Sequence, residues 1–273
     1  MLLKTIDIHV NGSQPYASAT LYLYEASHEL MTNVRPLIIV CPGGGYAFTS
    51  DREADPIAMQ FVAMGYHTAV LRYSVEPARF PTALEEVGSL IRQAREHSEE
   101  WLIDPEHIAV VGFSAGGHLA CSYCALWREP WVAEDLHTTP DMLRPGGMIL
   151  GYPVITSGPW AHHGSFKCLL GDRYEEKKAA LSLENCVTDA MPPAFVWHTQ
   201  ADPVVPVQNS LMLVSAMTDK HIPVEFHMFQ NGQHGLSLAN WVTQAASGAC
   251  IEPPVTQWIP LVRTWLEGWR KHD

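Results

Sequence analysis

No uninterrupted apolar stretch of this 273-residue chain approaches the ~20 residues that a bilayer span requires. No membrane-embedded segment is therefore expected. Basic clusters are missing as well: 17 Lys and Arg stand against 29 Asp and Glu, a net charge of -12. Nucleic acid and anionic membrane surfaces are poor partners for such a chain. Residues 1–7 carry no apolar h-region and no cleavage pattern, so no secretory signal is read there. Cysteine is sparse, with six residues at 41, 121, 124, 168, 186 and 250. Cys121 and Cys124 have C-x-x-C spacing, but they fall inside an expected helix, whereas a redox pair needs an exposed helix N-terminus. They are read as packing residues, and the compartment as reducing and cytoplasmic. Internal repeats and low-complexity tracts are absent. His162 and His163 adjoin, yet no third ligand follows at a recognisable spacing. No metal site is expected, and the pair is read as part of a solvated loop.

Apolar content is ample. Hydrophobic residues make up 47% of the chain, enough for a single α/β domain over 1–273, and length demands no second one. Strand and helix signals alternate. Residues 5–10 and 19–24 read as opening strands with Asn11-Gly12 as the turn. The all-apolar run 37–40 marks a strand buried on both faces. A helix is expected over 55–64, with Asp55 as N-cap, Pro56 in the first turn, Gly65 at the close, and a stripe of Ile57, Ala58, Phe61 and Val62. A strand at 68–73 precedes a helix that buries Leu84, Val87, Leu90, Ile91 and Ala94. Strands are expected at 148–150, 194–197 and 224–229, with a helix at 210–218. A closing helix carries Trp258, Leu261, Val262, Trp265, Leu266 and Trp269 as its stripe. The alternation implies a mostly parallel sheet with helices on both faces. Two long insertions, at about 127–147 and 156–193, break the rhythm and are expected to wall a pocket.

The most informative segment is 108–118. A β-branched apolar run ends in Gly112-Phe113-Ser114-Ala115-Gly116, and a helical pattern follows at once. A strand-to-helix turn this sharp forces the serine into a strained conformation and leaves its hydroxyl free above the sheet. Ser114 is the candidate nucleophile. An acyl-transfer serine needs a base, a group that orients the base, and donors for the oxyanion. Chain order places the acid next and the histidine last. Asp202 lies directly beyond the apolar strand at 194–197 and is the candidate acid; Asp172, Asp189 and Asp219 are less well placed. Among 14 histidines, His234 alone follows the last strand and is flanked by Gly232 and Gly235. His118, on the helix after the elbow, is its rival as base, and the sequence favours a supporting role for it. Cys41-Pro42-Gly43-Gly44-Gly45-Tyr46 follows the strand at 37–40. The N–H groups of Gly44, Gly45 and Ala115 are the candidate oxyanion donors. Tyr46 and His118 are candidate substrate contacts.

With these residues in view, the chain resembles the α/β-hydrolase superfamily, in its esterase/lipase branch with H-G-G-G-type oxyanion loops. Within that branch it is similar to the acetyl-xylan or sugar-ester esterases of the bifunctional feruloyl/acetyl-xylan esterase-like group. Residues 42–46, 112–118, 202–206 and 232–235 carry the likeness. Pro42 departs from it, standing where the lipase-like motif has a histidine that often anchors the loop. The resemblance implies a serine esterase that needs no cofactor and acts through an acyl-enzyme on a small-molecule ester, with short acyl groups, acetyl first, on a sugar-like alcohol. The same Ser-His-Asp set also serves amide bonds, as in an arylformamidase or a small peptidase. A non-catalytic ligand-binding homologue usually loses a member of the triad, and all three are present here.

Overall fold

The computed structural model describes residues 1–269. Its strands are β1 (Leu2–Asp7), β2 (Ser18–Leu23), β3 (Arg35–Cys41), β4 (His67–Arg72), β5 (Ile103–Phe113), β6 (Gly147–Gly151), β7 (Ala194–Thr199) and β8 (Val224–Phe229). They form one eight-stranded sheet in the order β1-β2-β4-β3-β5-β6-β7-β8. β2 runs antiparallel to β1 and β4, and the pairings from β4 through β8 are parallel. The helices are α1 (Asp55–Ala63), α2 (Thr82–Glu96), α3 (Ser98–Trp101), α4 (Ser114–Leu126), α5 (Pro130–Asp135), α6 (His163–Leu170), α7 (Tyr174–Lys177), α8 (Gln208–Asp219) and α9 (Trp258–Trp269). Among the described residues, no helix is long and apolar enough to cross a membrane.

The core explains the burial pattern of the central strands. In β3, Leu37, Ile39 and Cys41 join one apolar cluster, which also holds Leu84, Val87 and Leu90 of α2 and Leu119 of α4. Ile38 and Val40 join the other, with Ile57 and Phe61 of α1 and Trp258, Val262 and Leu266 of α9. Successive side chains point to opposite faces. A strand covered on both therefore reads as a continuous apolar run. Each such side chain contributes about 1.5–3 kcal/mol by leaving water. Trp269 ends α9, and its side chain lies outside the described residues.

Some local expectations shift. β1 ends at Asp7 and not at Val10, because the Val10 N–H turns to Ser13 Oγ (3.0 Å) instead of a strand partner. Asp55 is the first residue of α1, not its cap, which is Ala54. The Asp55 carboxylate accepts from the Tyr22 hydroxyl at 2.6 Å, which ties α1 to β2. Gly65 closes the helix as expected, at φ +94°.

Candidate active site

β3 and β5 lie side by side with Cys41 opposite Gly112. The loop leaving β3 and the turn leaving β5 therefore emerge together at the carboxyl end of the sheet. That crevice is where open α/β sheets bind ligands. Gly116 shows how closely they meet: a Cβ there would stand 2.1 Å from the Cys41 carbonyl oxygen. Ser114 sits at φ +52°. This left-handed conformation is costly for any residue with a side chain. Ser114 follows the extended Phe113 and opens α4. This is the strained turn that the sequence implies.

β7 and β8 pair with Thr199 opposite Phe229. Asp202 and His234 lie just beyond these two ends, so their loops meet. Ser114 Oγ is 2.8 Å from His234 Nε2. His234 Nδ1 is 2.7 Å from Asp202 Oδ2. With Nδ1–H donating to the carboxylate, the lone pair of Nε2 faces the serine hydroxyl. Asp202 Oδ1 accepts from the N–H groups of Val204 and Val205, at 2.9 and 3.0 Å. Behind it, His198 donates from Nε2 to the Val205 carbonyl at 2.9 Å and approaches Asp202 Oδ2 at 3.5 Å. Burial pushes the Asp202 carboxyl up. Hydrogen bonds from His198 and His234, the His234 charge and the Val205 N–H outweigh it and hold the group well below the usual carboxylate range. The aspartate is ionised wherever the imidazole needs it. A hydroxyl, an imidazole and a buried carboxylate in this sequence can move a proton off the hydroxyl and stabilise the imidazolium that results.

Gly44 and Gly45 adopt φ +135° and +67°. A Cβ on Gly44 would overlap the Phe48 carbonyl at 2.0 Å, so the loop needs glycine there. The Gly43 N–H is already donated to Glu53 Oε2 at 2.8 Å. Gly44, Gly45, Ser114 and His234 line one cavity of about 440 Å³. Ala115 is buried at the first turn of α4, behind the serine.

The structure corrects the two expected substrate contacts. Tyr46 and His118 are 2% and 1% exposed, and neither lines the cavity. His118 donates from Nε2 to the Leu181 carbonyl (3.1 Å), so its Nδ1 accepts from the Tyr46 hydroxyl (2.9 Å). Burial pulls this imidazole down to about 4. The pair braces the glycine loop from behind, and His118 does not reach Ser114 as a rival base.

The insertions divide. His162, Gly164 and Cys168, from 156–193, line the cavity. No residue of 127–147 does. That segment returns the chain to the start of β6, at the far end of the sheet, and its Leu136 and Met142 carbonyls accept from Arg92 and Arg95 of α2. Arg52 and Glu53 also line the cavity, and no sequence signal marks them; His162 and Cys168 line it too, where the sequence suggests only a solvated loop and a scattered cysteine. His162 is no solvated loop residue. Its Nδ1 meets the Ser165 hydroxyl at 2.8 Å and accepts the Ser165 N–H at 3.3 Å, at the start of α6; with Nδ1 accepting, the ring proton is on Nε2. Burial and the His234 charge pull the imidazole below its usual value, with Asp202 opposing. Burial and Glu76 push the Cys168 thiol up, so it does not present a thiolate.

A mostly parallel sheet with serine, aspartate and histidine gathered at its carboxyl end is the architecture of an α/β hydrolase. The profile of the BD-FAE family matches residues 21–136, and that of the prolyl oligopeptidase family matches residues 148–246. The carboxylesterase Cest-2923 from Lactobacillus plantarum WCFS1 superposes with a TM-score of 0.84 at 31% identity, covering 98% of each chain. The acetyl ester-xyloside bifunctional hydrolase from Caldicellulosiruptor lactoaceticus superposes with a TM-score of 0.77 at 34% identity, over 93% of this chain and 89% of that one. Endo-1,4-beta-xylanase B of Butyrivibrio fibrisolvens is 34% identical over 235 residues, which are 80% of this chain and 37% of the relative. The chain spans 37%, 42% and 51% of the length of three curated relatives. The chain belongs to the esterases of the α/β-hydrolase family, which are carboxylic ester hydrolases.

Proposed function

We propose that the protein hydrolyses short-chain acyl esters, acetyl first, of polar alcohols such as sugars or xylo-oligosaccharides, with Ser114 as nucleophile, His234 as base and Asp202 as acid. The observation that carries this reading is the continuous chain Ser114–His234–Asp202, at 2.8 and 2.7 Å. His234 Nε2 takes the hydroxyl proton as Oγ attacks the acyl carbon. The carbonyl oxygen becomes an oxyanion facing the N–H groups of Gly44, Gly45 and Ala115. Such donors are worth about a hundredfold to a thousandfold each in kcat. The imidazolium then gives its proton to the departing alkoxide, leaving Ser114 acylated. Water, deprotonated by His234, repeats the attack and releases the acid. Asp202 stays ionised throughout. No step calls for a cofactor.

The polar alcohol is supported by the cavity itself, where the His162 Nε2–H and the Arg52 guanidinium offer donors beside Ser114. The Caldicellulosiruptor relative, whose name joins an acetyl ester and a xyloside, supports the same chemistry. The single sheet supports one catalytic domain, and six free cysteines support a reducing, cytoplasmic setting.

The test is Ser114→Ala. It is expected to abolish both acetate release from an acetylated xylo-oligosaccharide and labelling by a fluorophosphonate, with the fold intact. A folded variant with near-normal turnover would falsify the mechanism. The prolyl oligopeptidase match over residues 148–246 favours a second reading, amide hydrolysis by the same residues. Matched ester and amide substrates decide between the two. Fluorophosphonate labelling of the unaltered protein, in turn, excludes a non-catalytic homologue.

A further inference from the structure

We propose that Glu53 is a positioning residue that couples the oxyanion loop to the histidine loop. The proposal rests on the serine-hydrolase reading above. The Glu53 side chain is buried, with the residue 4% exposed, and each carboxylate oxygen has a partner. Oε2 accepts the Gly43 N–H at 2.8 Å, at the head of the glycine loop. Oε1 accepts the Tyr152 hydroxyl at 2.5 Å. The Tyr152 oxygen in turn accepts the Ser237 N–H at 2.9 Å, just past His234 on the same loop. The Tyr152 ring meets the His234 imidazole edge-on, with centroids 5.1 Å apart and planes at 71°. A Cβ built on Gly43 would stand 2.6 Å from Glu53 Oε2 and 2.9 Å from Ser114 Cβ. Carboxylate, glycine loop and serine are thus in contact.

The two loops leave β3 and β8, which are not neighbours in the sheet. One carboxylate reaches both. Acyl transfer needs the oxyanion donors and the imidazole in register at the same moment. A misplacement of about 1 Å costs about a hundredfold in rate. A full negative charge near a developing oxyanion is, by itself, repulsive. The two effects predict opposite signs. If positioning dominates, neutralising Glu53 slows the reaction; if charge dominates, it speeds it.

Glu53→Gln separates them. The amide has one acceptor oxygen, so either the Gly43 N–H or the Tyr152 O–H meets its NH2 instead. Tyr152→Phe cuts the same link from the other side and keeps the ring packing. Both variants and their combination are assayed as full chains with p-nitrophenyl acetate, well below each melting temperature. The expected result for each single variant is a kcat reduced by about thirtyfold to a hundredfold with KM within about threefold. The double variant is expected to lose no more than the worse single, because both remove one coupling. A general loosening of the fold would not confine the loss to kcat or produce that non-additivity. A folded Glu53→Gln protein with kcat within threefold of the original, or above it, overturns the proposal. So do losses that multiply in the double variant, or a loss carried by KM. Should Glu53→Gln not fold, Tyr152→Phe carries the same test with the same limits. Fluorophosphonate labelling of the unaltered protein separates failure here from failure of the serine mechanism, since labelling with an unaffected Glu53→Gln rate sinks the coupling alone.

Discussion

Replacing Asp202 by asparagine tests the proposed triad sharply, because the surroundings dictate which way the amide must turn. Asp202 Oδ1 accepts from the Val204 and Val205 N–H groups, and Oδ2 accepts from His234 Nδ1. An amide has one accepting oxygen. If that oxygen turns to His234, the NH2 faces two backbone donors, and each buried donor left unpaired costs about 1–3 kcal/mol. If it stays with Val204 and Val205, the NH2 faces His234, and the imidazole adapts by moving its proton from Nδ1 to Nε2. His198 loses little in either case, because it is already bonded to the Val205 carbonyl at 2.9 Å. The second arrangement is cheaper. It leaves a proton on the nitrogen that faces Ser114, so the base is gone. The same substitution in the serine-protease triad lowers kcat about ten-thousandfold by this change of tautomer.

The expected result is a kcat lower by about a thousandfold to ten-thousandfold with KM little changed, read from p-nitrophenyl acetate hydrolysis with circular dichroism as the check on folding. Fluorophosphonate labelling is expected to slow in parallel. Asp189 lies exposed ahead of β7 and serves as the control. If Asp202→Asn stayed within tenfold of the original while Asp189→Asn crippled the protein, the acid would have been misassigned. Stability gives a second readout. The folded Asp202 carboxyl lies below its ordinary value of about 3.9, so in the acid range the unfolded chain binds more protons. Its contribution is then complete above about pH 5 and is lost as pH falls toward the depressed folded value. The asparagine variant is expected to lack that part of the acid dependence.

Three further outcomes follow from the same structure. Burial, then Asp135, push the Glu85 carboxyl up to about 7. The folded state therefore holds a proton there that the unfolded chain releases near pH 4–5, and stability falls as pH rises toward 7. Glu85→Gln is expected to gain about 1 kcal/mol over the original at pH 8, after allowance for solvent screening. No gain is expected at pH 4, and equal denaturation midpoints at both pH values would count against the shift. His162→Ala removes an Nε2–H donor from the cavity and is expected to lower kcat/KM about tenfold on an acetylated xylo-oligosaccharide, the worth of one hydrogen bond. On p-nitrophenyl acetate, whose alcohol lacks the sugar hydroxyls, it should change little; equal losses on both would refute the alcohol contact. Across p-nitrophenyl acetate, butyrate and octanoate, kcat/KM is expected to be greatest for acetate, whereas an open acyl channel would gain about 0.8 kcal/mol per buried methylene and put the maximum at octanoate.

Most of the sheet is legible in the chain because its signals are local. The run 37–40 is apolar because both faces are covered, and the 112–116 pattern states its own backbone strain at Ser114. Asp202 and His234 are legible through order: each follows a strand that periodicity already marks. Asp55 shows where local reasoning fails. Its residue type and position suit a cap, but the Tyr22 hydroxyl, from a strand distant in sequence, claims the carboxylate. Tyr46 and His118 fail for the same reason. Both flank functional backbone, and only the packing of 181 and 122 around them decides that they face inward.

The residues that shape the substrate side are illegible for a different physical reason. His162 reaches the cavity as the N-cap of α6, its Nδ1 accepting the Ser165 N–H in the first turn, a capping role that histidine seldom fills and that therefore leaves no helix-start signal. Glu53 and Arg52 follow the glycine loop directly, yet nothing local says that one carboxylate spans to Tyr152 while the guanidinium turns to the Thr243 carbonyl (2.7 Å). Each of these contacts joins segments about a hundred residues apart or more. The chemistry of the triad sits on strand ends, whose positions follow from sheet register. The proposed alcohol contacts, Arg52 and His162, sit on loops, one held by a long-range hydrogen bond to the Thr243 carbonyl and the other by a local one from Ser165. The first is fixed by a pattern repeated along the chain. The second rests on pairs of polar atoms, any one of which a single substitution can redirect. Within this family the triad geometry should therefore tolerate drift in sequence far better than the choice of alcohol does. Swapping the 156–170 segment between two members is the measurement: the preferred alcohol should transfer with the segment, and the turnover of p-nitrophenyl acetate should not.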